Sequence, residues 1–205
     1  MDKILSLYMR NKIPLLVFVG GIFIIGVVFG ALALESMNFS VRQELFEYFN
    51  NFLQGYESIE YEKGYLLSES AKLNMISIIA IWIFGASVVV MPLVPVLIFF
   101  KGFVLGFTIG FLVSQFHFKG IIMAISTIFP QNILIVPAYI FGGLTAIDFS
   151  FRIIKHYRGY LRLDFGDFID YSSKMIVLGF LMLGGSLLEA FFVPYLLRIV
   201  VYFMG

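Results

Sequence analysis

Residues 13–34 read IPLLVFVGGIFIIGVVFGALAL, and this stretch decides the class of the fold. It carries no charged side chain. At about 1.5 Å per residue such a helix reaches about 33 Å, enough to cross a hydrocarbon core of about 30 Å. Lys3, Arg10 and Lys12 precede it. The run exceeds the apolar region of a signal peptide, and no small-residue cleavage site follows Leu34, so the helix is expected to be retained. The whole chain shares its character. Of 205 residues, 60% are hydrophobic and 13% charged, and the mean hydropathy is +0.97. A soluble domain carries about 25% charged residues. Too little polar surface remains here to clothe a globule, so an integral membrane protein is expected and a soluble enzyme is disfavoured.

Working outward, further apolar runs lie near 73–91, 96–116, 130–150 and 175–201. The pattern predicts an all-α fold: a polytopic integral membrane protein of about five transmembrane helices, in a single membrane domain over 1–205. Pro92 and Pro95 punctuate the end of the second run. Lys101 lies about one turn inside the third, where its stem can snorkel to the interface. The apolar stretch 120–149 is too long for one straight crossing and is interrupted by Pro130, Gln131 and Asn132. A short, partly embedded segment up to Phe129 is expected, then a full span opening at Pro130, where a missing N–H is tolerated.

The polar loop 35–72 holds Glu35, Glu44, Glu47, Glu57, Glu60, Glu62 and Glu69 against Arg42, Lys63 and Lys72, a net of −4. Ser40 and Gln43 fit a capping box. Val41, Leu45, Tyr48, Phe49, Phe52 and Leu53 recur at helical spacing, predicting an amphipathic helix near 41–54 that lies on the membrane, on a partner or on its own spans. Five crossings with a cytoplasmic N-terminus put nine of the fourteen Lys and Arg inside, Arg152, Lys155, Arg158 and Arg162 among them. That satisfies the positive-inside bias and places the acidic loop outside. Phe49, Phe52, Glu57, Glu60 and Glu62 are the expected partner-binding residues of that loop.

Gly102, Gly106, Gly110 and Ser114 fall at every fourth position of the third span, and Ala138, Gly142 and Ala146 repeat the spacing on the fourth. Such ridges allow close helix approach, within one chain or between copies, so a homo-oligomer stays open. Chemistry is sparse. With zero cysteines there are no thiolate ligands or nucleophiles, and the two histidines, His117 and His156, fall on opposite sides of the proposed topology. No phosphate loop, HExxH pair or GxSxG elbow occurs. Asp164, Asp167 and Asp170 read as a solvated face beside Arg158, Arg162 and Lys174. No catalytic residue, metal or cofactor is assigned, and a net charge of +1 argues against nucleic acid. Glu189 stands apart, because an acid well inside a span needs a partner. Gln131 and Asn132, at the outer start of the fourth span, are the expected partners in an intramembrane polar clasp.

The runs Leu188-Glu189-Ala190-Phe191-Phe192-Val193-Pro194 and Phe129-Pro130-Gln131-Asn132, with the glycine-spaced third span, resemble the stage II sporulation protein M family over nearly the whole chain. The residues Gln131, Asn132, Ile133 and Ile135 look like its sporulation-type branch. The resemblance implies a non-enzymatic scaffold in the mother-cell septal or engulfing membrane. It also implies two partners, the peptidoglycan-degrading stage II sporulation proteins D and P, besides membrane lipid. The competing expectation, from Glu189, is a permease or channel-like membrane subunit with an intramembrane acid.

Overall fold

A computed structural model describes residues 2–58 and 63–197, with side chains for 12–49, 51 and 64–197. Among the described residues six α-helices follow one another: α1 (Asp2–Glu35), α2 (Phe39–Ser58), α3 (Lys63–Gly85), α4 (Leu93–Thr127), α5 (Phe129–Tyr157) and α6 (Phe165–Leu187). A π-helical turn, Leu188–Phe192, continues α6. Five stretches are long and apolar enough to cross a membrane: Lys12–Glu35, Gly64–Gly85, Leu93–Thr127, Phe129–Tyr157 and Phe165–Leu197. The chain is therefore an all-α, polytopic membrane protein.

Two helices begin earlier in the chain than hydropathy places them. The run expected at 73–91 sits on α3, which starts at Lys63 and ends at Gly85. Its first turns carry Glu69, Ser70 and Lys72, which depress the hydropathy, yet Ser70 is buried against the bundle. Pro95 does not close this span; it lies in the first turn of α4, after a turn held by Met91 N–H to the Ser87 carbonyl. There its missing N–H costs no helical bond. Similarly, α6 starts at Phe165 rather than near Met175. Asp164 and Asp167 form a reciprocal capping box, each side chain accepting from the other's backbone N–H, so these acids start the helix.

The ridge on α4 packs against α1. A Cβ at Gly106 would overlap the Val27 carbonyl, and one at Gly30 would overlap that of Phe103. Such backbone proximity needs glycine on both helices. Ser114 is exposed and leaves the ridge. Steps of four residues drift about 40° each round a 3.6-residue helix, so three steps turn the face away. On α5, Ala138 and Ala146 are fully buried, and Gly142 faces Ile78 of α3.

At His117 α4 breaks, with φ 52° and ψ −124°, and the segment 118–127 folds back so closely that a Cβ at Gly120 would meet the Leu112 carbonyl. The short segment before Pro130 is thus set off from the rest of α4. The amphipathic helix forms as α2 and closes over that end. Arg42 Nη2 donates to the Leu34 carbonyl at 2.7 Å, satisfying an end carbonyl of α1. Phe49 packs edge-on against Phe111 at 5.5 Å and beside Phe116 at 5.9 Å. Gln43 reaches Glu47 rather than the helix start. The opposite end of the bundle carries Lys12, Asp148, Arg152 and the 158–164 connection; it is called here the basic end.

Candidate functional site

Two pairs of polar residues meet inside the bundle near its α2 end. On α3, Ser70 and Asn74 are one turn apart; Ser186 at the end of α6 and Glu189 in its π-helical continuation have similar spacing. Ser70 Oγ donates to Glu189 Oε2 at 2.5 Å. Asn74 Nδ2 donates to Ser186 Oγ at 2.9 Å and reaches Ser70 Oγ at 3.5 Å, while Ser186 Oγ donates to the Met182 carbonyl at 3.2 Å. Ser70, Asn74 and Ser186 are buried, and Glu189 is half-buried. Polar groups at this depth need such partners, because lipid offers none. The four residues fasten the second transmembrane helix to the fifth.

The π turn shapes how Glu189 is presented. Val193 N–H bonds the Leu188 carbonyl five residues back. Pro194 follows at once; in a regular helix its ring would press on the carbonyl four residues earlier, and a wider turn relieves this. Glu189 also lines a cavity of about 430 Å³ beneath α2, whose other walls include Leu45, Leu66, Phe107, Phe111 and Thr127. From the far side, Lys101 lies within electrostatic range of Glu189. Its Nζ sits over the Tyr139 ring, 5.1 Å from the centroid. Lys101 thus turns to an aromatic face within the bundle rather than snorkelling, as a cation over a π-system permits.

The expected clasp of Glu189 with Gln131 and Asn132 is corrected. Gln131 Nε2 donates to the Thr127 carbonyl and Asn132 Nδ2 to the Ile128 carbonyl, each at 2.7 Å. Both amides thus fold back onto the carbonyl four residues earlier, at the junction between α4 and α5. The side-chain oxygens Oε1 of Gln131 and Oδ1 of Asn132 remain buried without a partner. Gly185 packs beside the Gln131 backbone, where a Cβ would lie 3.2 Å from its carbonyl oxygen, while Glu189 bonds α3 instead.

Of the residues expected to meet a partner, Phe49 is turned inward onto α4, and α2 exposes Glu44, Glu47 and Tyr48 instead. Glu60 and Glu62 lie outside the described residues, as do the side chains of Phe52 and Glu57. Gly102, Gly106 and Gly110 meet α1, and Ala138, Gly142 and Ala146 lie in the α3–α5 region, all within one chain. Among the described residues no group of three His, Asp or Glu side chains is placed to hold a metal. Sequence reading missed Ser70, Asn74 and Ser186. Their signal was the i, i+4 pair on α3 facing the i, i+3 pair at the end of α6.

Comparison with protein families matches residues 18–194 to stage II sporulation protein M. The chain belongs to the stage II sporulation protein M family. It is thus a membrane protein of a sporulation family, and the match reaches into all five membrane-spanning stretches of the described residues and covers the Glu189 turn. Comparison with curated proteins and with solved structures returns no match.

Proposed function

We propose that this member of the stage II sporulation protein M family is a non-enzymatic membrane scaffold that holds peptidoglycan-degrading proteins, the D and P partners of the family, during engulfment. In this reading the N-terminus is cytoplasmic, the chain resides in the mother-cell septal or engulfing membrane, and α2 faces the wall. The observation that carries the reading is the build of α2. Arg42 and Phe49 pin it across the bundle end, so Glu44, Glu47 and Tyr48 are displayed on a fixed acidic platform rather than a free loop. A basic partner surface complements it, with steering that decays over about 8–10 Å at physiological salt. Neutralising Glu44, Glu47, Glu57, Glu60 and Glu62 together should weaken recovery of the P partner from sporulating cells. Unchanged recovery would move the docking site to the spans.

The second reading, a permease or channel-like subunit, is favoured by one observation: Glu189 borders a cavity and lies within range of Lys101. Purified protein in liposomes separates the two. Proton or solute flux that Glu189→Gln abolishes supports transport, and its absence with partner binding intact supports the scaffold.

A further inference from the structure

We infer that the cavity at the basic end is a binding site for the headgroup of an anionic phospholipid. The cavity is open, about 1160 Å³ in volume, and lies between α1, the start of α4, the end of α5 and the connection to α6. It sits where apolar spans stop: Lys12 begins the first, Leu93 the third, and Phe165 the fifth, while α5 ends at Tyr157. That level is the headgroup region of a bilayer. Its lining divides accordingly. Leu15, Phe18, Pro95 and Ile147 supply an apolar wall, and Phe18 is about half-exposed toward lipid.

The polar wall holds four cations, Lys12, Arg152, Lys155 and Arg162, and two carboxylates, Asp148 and Asp167, a net of +2. Both carboxylates are committed. Asp148 pairs with Lys12 at 3.0 Å and with Arg152 at 3.4 Å, and Asp167 pairs with Arg152 at 3.6 Å. These bridges fix the Arg152 fork through Nε and Nη1 and leave its Nη2 donors for another acceptor. Lys155 and Arg162 line the same cavity and have no ion-pair partner among the described residues. A second set of bonds fastens the connection that carries Arg162. Leu163 N–H donates to His156 Nδ1 at 3.0 Å, Tyr160 N–H bonds the Lys155 carbonyl, and Gly159 turns at φ 77°.

The result is two anchored cations, Lys12 and Arg152, and two exposed ones, Lys155 and Arg162, beside an apolar wall at interfacial depth. A phosphate oxygen between Lys155, Arg162 and Arg152 would use the excess charge in charge-assisted bonds. Acyl chains would run along Phe18 and Leu15 into the bilayer. Basic pockets between transmembrane helices bind anionic lipid headgroups on this principle. A soluble phosphate would use the cations but leave the apolar wall unexplained, which is why the lipid is the better occupant.

Native mass spectrometry of the purified full chain tests this, with dioleoylphosphatidylglycerol, dioleoylphosphatidylcholine and glycerol 3-phosphate as probes. Phosphatidylglycerol should give a saturable adduct that phosphatidylcholine does not match and glycerol 3-phosphate does not displace. Removing an interfacial cation should weaken binding about five-fold, so Lys155→Gln with Arg162→Gln should weaken it about thirty-fold. Lys72→Gln, at the α2 end, should leave it unchanged. Both target side chains are exposed, and the single variants carry the same test if the double variant does not fold. Equal binding of phosphatidylcholine, displacement by glycerol 3-phosphate, or unaltered affinity in the variants would each overturn the assignment.

Discussion

Glu189 and Ser70 are the pair whose removal should report most directly on how the second and fifth transmembrane helices are joined. Glu189→Gln retains a carbonyl oxygen where Oε2 now accepts from Ser70, so the bond survives without the charge. Glu189→Leu removes the acceptor and leaves Ser70 with only the 3.5 Å approach of Asn74. Intramembrane hydrogen bonds average about 0.6 kcal/mol and reach about 1.7 kcal/mol. The short Ser70–Glu189 bond belongs in the upper part of that range, and the freed hydroxyl can turn to a carbonyl of its own helix. Glu189→Leu should therefore cost about 1–1.5 kcal/mol and Glu189→Gln less than about 0.5 kcal/mol. Unfolding of the purified chain by dodecyl sulfate in mixed micelles reads both. A double-mutant cycle of Glu189→Leu with Ser70→Ala should return a coupling of about 0.6–1.5 kcal/mol. Zero coupling, or a Leu variant as stable as the native chain, would refute the join. A Gln variant that folds normally but loses partner recovery would shift the role of Glu189 from architecture to its charge.

The glycine ridge makes a graded prediction. Gly106→Leu, whose Cβ would overlap the Val27 carbonyl, should destabilise by about 2–3 kcal/mol, whereas Gly110→Ala, whose Cβ would lie 3.3 Å from the Ala31 Cα, should cost under about 1 kcal/mol in the same assay. Equal effects would mean that α1 and α4 do not meet along this face. At the reversal, His117 holds φ 52°, a conformation glycine adopts without strain. His117→Gly should raise stability by about 1 kcal/mol and His117→Ala should not, with a falling unfolding midpoint in the Gly variant counting against the kink.

Much of the architecture was legible because membrane insertion depends on composition over long windows. The five spans, the short segment before Pro130 and the helix α2 all followed from runs of apolar residues and their interruptions. Helix starts were less legible. Glu69, Ser70 and Lys72 lower the hydropathy at the head of α3, and Asp164 to Asp170 do so at the head of α6. In both places the helix continues because those polar groups find partners: Ser70 with Glu189, and Asp164 with Asp167. Hydropathy scores a side chain against lipid or water and carries no information about a partner distant in sequence.

That limit also explains the misassigned partner of Glu189. With α3 taken to begin at Leu73, Ser70 lay in the outer loop, and Gln131 and Asn132 became the nearest polar residues at the right depth. Their amides are engaged locally, however, at the junction that Pro130 and the end of α4 create. A buried polar residue first satisfies the backbone groups nearest in sequence, and only those left over are available to a distant helix. Ser70, Asn74, Ser186 and Glu189 lie within otherwise continuous helix, with no break in the backbone beside Ser70 or Asn74 to absorb them. Ser70 and Asn74 turn to α6 and its continuation, whereas the amides of Gln131 and Asn132 are spent on their own backbone. The same distinction separates Lys155 and Arg162 from Lys12 and Arg152. The latter two are held by Asp148 and Asp167, so the uncompensated charge lining the cavity resides on the former, where a ligand from the bilayer can meet it.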